Sequence, residues 1–102
     1  MTKRRGSQFT VDAESVQGNE GATVTFRALK VREVNEYRTT EMTDADLLRS
    51  HVLSWSGFVD DEGRELPSPA DEPDVLGELY VHEQLALSRL LFQGPLGDSA
   101  KN

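Results

Sequence analysis

The sequence predicts an α+β domain, mostly helical, with an N-terminal β-hairpin packed on about three α-helices. Three observations carry this. Apolar and polar residues alternate with period two before Leu29, and apolar residues recur at spacings of three and four after it. The length, 102 residues, fits one small domain and leaves little room for a second. Hydrophobic residues make up 36% of the chain, below the usual figure of about 45–50%. One modest core is therefore expected, with the remainder in loops and tails.

The elements follow in order along the chain. Residues 1–7 are polar and basic and are expected to form a flexible arm. Phe9 and Val11 alternate with Thr10 and Asp12, and Val24, Phe26 and Ala28 alternate with Thr23, Thr25 and Arg27. The turn formers Gln17-Gly-Asn-Glu-Gly21 lie between them, so residues 8–28 are expected to form a hairpin with a long connection. Val31, Val34 and Tyr37 predict a short helix over 30–39. Thr43 offers an N-cap, and Asp44 and Asp46 fall in a first turn where the helix dipole favours acids. Ala45, Leu48, Val52 and Trp55 then extend a second helix over about 44–54, ended by Gly57.

Phe58 to Leu66 reads as a small hairpin or loop around the turn Asp60-Asp-Glu-Gly63, with Trp55, Phe58 and Leu66 in the core. Pro67, Pro69 and Pro73 keep the next segment extended and stiff. A third helix is expected from near Asp71–Asp74 to about Gln93, stopped by Gly94-Pro95. The domain thus spans 8–93, and 94–102 is expected to be a flexible polar tail. Leu91-Phe-Gln-Gly-Pro95 resembles part of the site cut by picornaviral 3C-type proteases. Leu91 and Phe92 continue the helical pattern unbroken, so the segment is read as native.

The third helix carries the most information. At 100° per residue, Val75, Leu76, Leu79, Tyr80, Ala86, Leu87, Leu90 and Leu91 share one broad arc, interrupted by Glu83. Val81, Leu85 and Phe92 gather on nearly the opposite side. The first arc is the expected core face. The second predicts burial on that side too, by contact with another chain or by this fold itself, because a surface helix of a monomer should be polar there.

Charge and residue usage narrow the chemistry. The net charge is −7, and most of the excess lies in Asp60, Asp61, Glu62, Glu65, Asp71, Glu72 and Asp74, opposed only by Arg64. Such a surface repels nucleic acid and anionic lipid and attracts a basic partner; it also serves as a plain solubilising loop. Lys3-Arg4-Arg5 is too short a basic run to overcome it, so no nucleic-acid partner is expected. The absence of cysteine removes disulfides, zinc–thiolate sites and cysteine nucleophiles. No apolar run approaches the ~18 residues that span a bilayer, and no apolar stretch follows the basic start, so neither a membrane partner nor a secretory signal is expected.

Three tempting motifs fail. His82-Glu83-Gln84-Leu85-Ala86 has Ala86 where a zinc protease needs its second histidine. In Asp60-Asp-Glu-Gly63, taking Gly63 as the sixth residue of a calcium loop puts Phe58 and Pro69 at the first and last ligand positions. Leu87-Ser-Arg-Leu-Leu91 matches a helical docking pattern, but leucines at that spacing read as core. His51 has no evident acid–base partner, and there is neither a nucleophile elbow nor a phosphate-cradling loop. No enzyme, cofactor or metal is expected.

Val24-Thr-Phe-Arg-Ala-Leu-Lys-Val-Arg-Glu-Val-Asn-Glu-Tyr37 passes from a strand into a helix with a Glu-x-x-x-Tyr step. Leu48-Arg-Ser-His-Val-Leu-Ser-Trp-Ser-Gly-Phe-Val-Asp-Asp-Glu-Gly-Arg-Glu-Leu-Pro67 combines Trp-x-Gly, an acidic Asp/Glu-Gly turn and Leu-Pro. Together with the following long helix and a polar tail ending in Lys101-Asn102, these resemble the small tail assembly chaperones of long-tailed, siphovirus-type bacteriophages. The likeness covers about residues 22–102, and Pro67-Ser-Pro69 departs from it by its second proline.

The resemblance implies a non-catalytic role. Such chaperones coat the tape measure protein, hold it soluble and recruit tail tube subunits. They act in the host bacterial cytoplasm and are absent from the mature virion. Contact with tail tube protein belongs to a frameshift-extended form, of which this chain would be the short form. Many copies line one client, so a homo-oligomer is expected. Val81, Leu85 and Phe92 would form the partner and oligomer contact, and Asp60, Asp61, Glu62, Asp71, Glu72 and Asp74 the acidic surface that keeps it soluble. Two other readings stay open: a small acidic inhibitor or adaptor on a basic partner surface, and a structural tail or connector subunit.

Overall fold

The computed structural model describes residues 7–95. A three-stranded antiparallel sheet in the order β1-β2-β3 shares one hydrophobic core with the helices. Strands β1 (Gln8–Asp12) and β2 (Thr23–Arg27) form the expected hairpin, in the register Phe9↔Phe26 and Val11↔Val24. Val11, Val24 and Phe26 are buried in that core. The other face is polar, where the Thr10 and Thr25 hydroxyls bond each other at 2.7 Å. One packed and one wetted face account for the alternation in sequence.

The hairpin connection holds a four-residue helix, α1 (Glu14–Gln17), which buries Val16 and ends at Gly18 in the left-handed region. Helix α2 (Val31–Thr39) matches the expected span but buries none of its residues. Helix α3 (Asp44–His51) starts at the expected cap. The Thr43 hydroxyl accepts the Asp46 N–H at 3.1 Å, and the Asp46 carboxylate accepts the Thr43 N–H at 3.2 Å.

Two expectations about element boundaries are corrected. The second helix does not run to residue 54: it stops at His51, and Val52–Ser56 is a third strand, β3, paired with β2. The pairing runs Val24↔Trp55 and Thr25↔Ser54 but then Phe26↔Val52, so Leu53 is an extra residue in a β-bulge. The bulge shifts the phase of alternation. Val52 and Trp55 therefore both face the core at a spacing of three, which in sequence is indistinguishable from a helical repeat.

The long terminal helix is likewise broken. Pro73–Glu78 forms a 3-10 helix that buries Val75 and Leu76, Leu79 and Tyr80 are extended, and α4 runs from Val81 to Gln93. Proline at the first position and Gly77 within the turn favour a short, tight helix over a long one. A fresh cap then restarts the chain as α4.

Between β3 and the prolines, Val59 bridges Glu65, and the Leu66 N–H donates to the Phe58 carbonyl at 2.7 Å, making a small hairpin. The Gln17 side chain pins it from α1. Its Oε1 accepts the Val59 N–H at 2.9 Å and its Nε2 donates to the Val59 carbonyl at 3.0 Å. Trp55, Phe58 and Leu66 are in the core, as expected. The core closes with Leu47 and Leu48 of α3 and Leu87 and Leu91 of α4. The expected arm and tail lie outside the described residues, apart from Ser7, Gly94 and Pro95.

Candidate interaction surface

Helix α4 is capped by the residue that looked misplaced in its sequence. The Glu83 carboxylate reaches back to accept the Tyr80 N–H at 2.7 Å, satisfying a donor at the helix start. That contact explains a buried acid on the core side. At the other end Gly94 adopts a positive φ of 65° and its N–H donates to the Leu90 carbonyl at 3.1 Å.

The inner side of α4 carries Leu87 and Leu91, fully packed, with Ala86 and Leu90 partly buried against the core. Leu87-Ser-Arg-Leu-Leu91 is thus core rather than a docking motif. The outer side carries Val81, Leu85 and Phe92, which are 75%, 51% and 46% exposed. Spacings of 4 and 11 residues place these three within about 40° of one another, along roughly 16 Å of helix. Fully burying an aliphatic or aromatic side chain contributes about 1.5–3 kcal/mol, so a covering surface would gain several kcal/mol here.

The two ends of this strip differ. At its C-terminal end the Phe92 ring lies tilted against Tyr37 of α2, with centroids 6.4 Å apart. At its N-terminal end Tyr80 is exposed, stacks on His82 and donates its hydroxyl to Asp61 at 2.5 Å. The Asp61 carboxylate holds the proton on this phenol and raises its pKa.

The acidic residues divide into two sets. Asp60 and Glu62 both pair with Arg64, at 3.3 and 3.2 Å, and Asp60 also accepts the Arg64 and Glu62 N–H groups. The Arg64 N–H holds the Asp60 carboxyl below its ordinary pKa, with the Glu62 N–H and the guanidinium adding to the effect against a smaller desolvation cost. Asp60, Asp61 and Glu62 thus fold the turn and tie it to α4. Asp71, Glu72 and Asp74 are exposed and make no ion pair among the described residues. Glu72 and Asp74 flank Leu66, Pro67 and Val75 along a shallow cleft with Glu78.

The sequence hid the partners of His51. The ring is 2% exposed, its Nδ1–H donates to the Leu47 carbonyl at 2.8 Å, and its Nε2 lies 3.1 Å from the Glu33 carboxylate. The Arg27 guanidinium lies 3.3 Å from Nε2 and 3.4 Å from Glu33. Burial raises the Glu33 pKa, but the Lys30 N–H, the adjacent His51 ring and the Arg27 guanidinium outweigh it and hold the carboxyl below its ordinary value. These residues come from β2, α2 and α3, separated by loops, so no local pattern could join them.

Among the described residues no cluster of three or more His, Asp or Glu could hold a metal ion, and no helix is long and apolar enough to cross a membrane. No family model matches the chain, and comparison with curated proteins and with solved structures finds no match.

Proposed function

We propose that this domain is a tail assembly chaperone of a long-tailed bacteriophage, binding the tape measure protein and holding it soluble while tail tube subunits are recruited. One observation carries the reading: α4 exposes an apolar strip, Val81, Leu85 and Phe92, on a domain whose core is already closed by Leu87 and Leu91. The strip suits an amphipathic helical client, which would aggregate if left uncovered. The Trp-x-Gly, acidic-turn and Leu-Pro series supplies the likeness to that family. The tail tube contact, the homo-oligomer and action in the host cytoplasm belong to the same proposal.

Co-expression with a phage tape measure protein tests the proposal. Wild type should keep that protein in the supernatant. Leu85→Asp combined with Phe92→Asp should leave the circular dichroism unchanged and return the client to the pellet. Equal solubility with both forms would discard the strip as the contact. The acidic-adaptor alternative would instead show binding that collapses with added salt and ignores the two substitutions.

A further inference from the structure

Helix α2 is attached to the domain differently from every other helix. It buries no residue, Val31 is 79% exposed, and among the described residues Tyr37 is its one hydrophobic side chain packed against the core. Two polar ties hold it. Near its start Glu33, 17% exposed, faces His51 and Arg27. Near its end the Tyr37 hydroxyl donates to Asp44, the first residue of α3. The Tyr37 ring then rests on Phe92 of the apolar strip.

We infer that α2 is a detachable flap, latched by Glu33 in the Arg27–His51 pocket, that covers the Phe92 end of the α4 strip until a helical partner displaces it. Elements with little buried apolar area open locally at low free energy, well before the sheet or α4. The latch does not hang on the imidazole alone, because the Arg27 guanidinium lies 3.4 Å from the Glu33 carboxylate and 3.3 Å from His51 Nε2. α2 also shows what the strip receives: an amphipathic helix presenting an aromatic ring to Phe92. Lifting α2 would extend the contact surface with no change in the sheet. This autoinhibitory role rests on the chaperone reading; the flap itself does not.

Hydrogen exchange on the free, full-length protein decides the flap. Amides of residues 31–39 should exchange at least about tenfold faster than those of β2 and α4. Glu33→Gln, and independently Tyr37→Ala, should speed residues 31–39 further and leave the sheet unchanged. Both variants should also raise the fluorescence of the apolar dye anilinonaphthalene sulfonate, a rise that Phe92→Asp abolishes. Exchange of 31–39 in step with the sheet in wild type and both variants would overturn the flap. In co-expression, Glu33→Gln should solubilise more of the tape measure protein than wild type does; equal or lower yield would overturn autoinhibition. No solubilisation by any form would overturn the chaperone reading, and autoinhibition with it, while the exchange result still decides the flap.

Discussion

Trp55 and Phe58 stack with ring centroids 4.4 Å apart and planes only 10° from parallel. The chain reverses between them at Gly57, where φ is +82°. The Trp55 indole N–H donates to the Leu66 carbonyl at 3.4 Å, so the pair ties β3 to the small hairpin that follows. The Trp-x-Gly motif thus has a structural reason: it turns a strand end into a stacked corner of the core. Gly57 is required twice over, because a Cβ there would lie 2.9 Å from the Ala22 Cα.

Gly57→Ala should therefore destabilise the domain by about 1–3 kcal/mol, from backbone strain and from the clash with the Ala22 backbone. Urea unfolding followed by Trp55 fluorescence measures it. An unchanged midpoint would mean that β2 and the corner are free to separate.

Stability should fall on both the acid and the alkaline side. Asp46 is held below its ordinary pKa by the Thr43 N–H and hydroxyl, Asp60 by the Arg64 N–H, and Glu33, against desolvation, by the Lys30 N–H, His51 and Arg27. Depressed carboxyl groups stabilise above their unfolded pKa of about 4 and lose that contribution as pH falls through the folded value. Tyr37 and Tyr80 are raised, by the carboxylates of Asp44 and Asp61 that accept their protons. Their contribution is complete below about pH 10 and is lost as pH rises through the folded value. Denaturant midpoints across pH should show a plateau with two falling limbs. Tyr37→Phe with Tyr80→Phe should flatten the alkaline limb alone, and an alkaline limb of unaltered slope would contradict this.

Ser88 is buried in α4, and among the described residues its hydroxyl has no hydrogen-bond partner. Removing an unsatisfied buried hydroxyl and improving helix propensity both favour alanine. Ser88→Ala should raise stability by about 1 kcal/mol in thermal unfolding. A loss of stability would show that the hydroxyl acquires a partner in solution.

What the sequence determined by itself is local. The β1–β2 alternation, the Thr43–Asp46 cap, the span of α2 and the outward side of α4 all follow from periods and caps contained within a few residues. Tertiary structure decided what depends on a distant partner. Val52–Ser56 is a strand because β2 offers it an edge, and its bulge copies a helical spacing. Glu83, by contrast, is tolerated on the core side for a local reason, the Tyr80 N–H three residues back. His51 finds Glu33 and Arg27 only when β2, α2 and α3 meet. Propensity and periodicity act over one or two turns of chain, whereas strand pairing and buried charge are settled by groups remote in sequence. Where the two conflicted, at Val52–Trp55, the long-range contact prevailed.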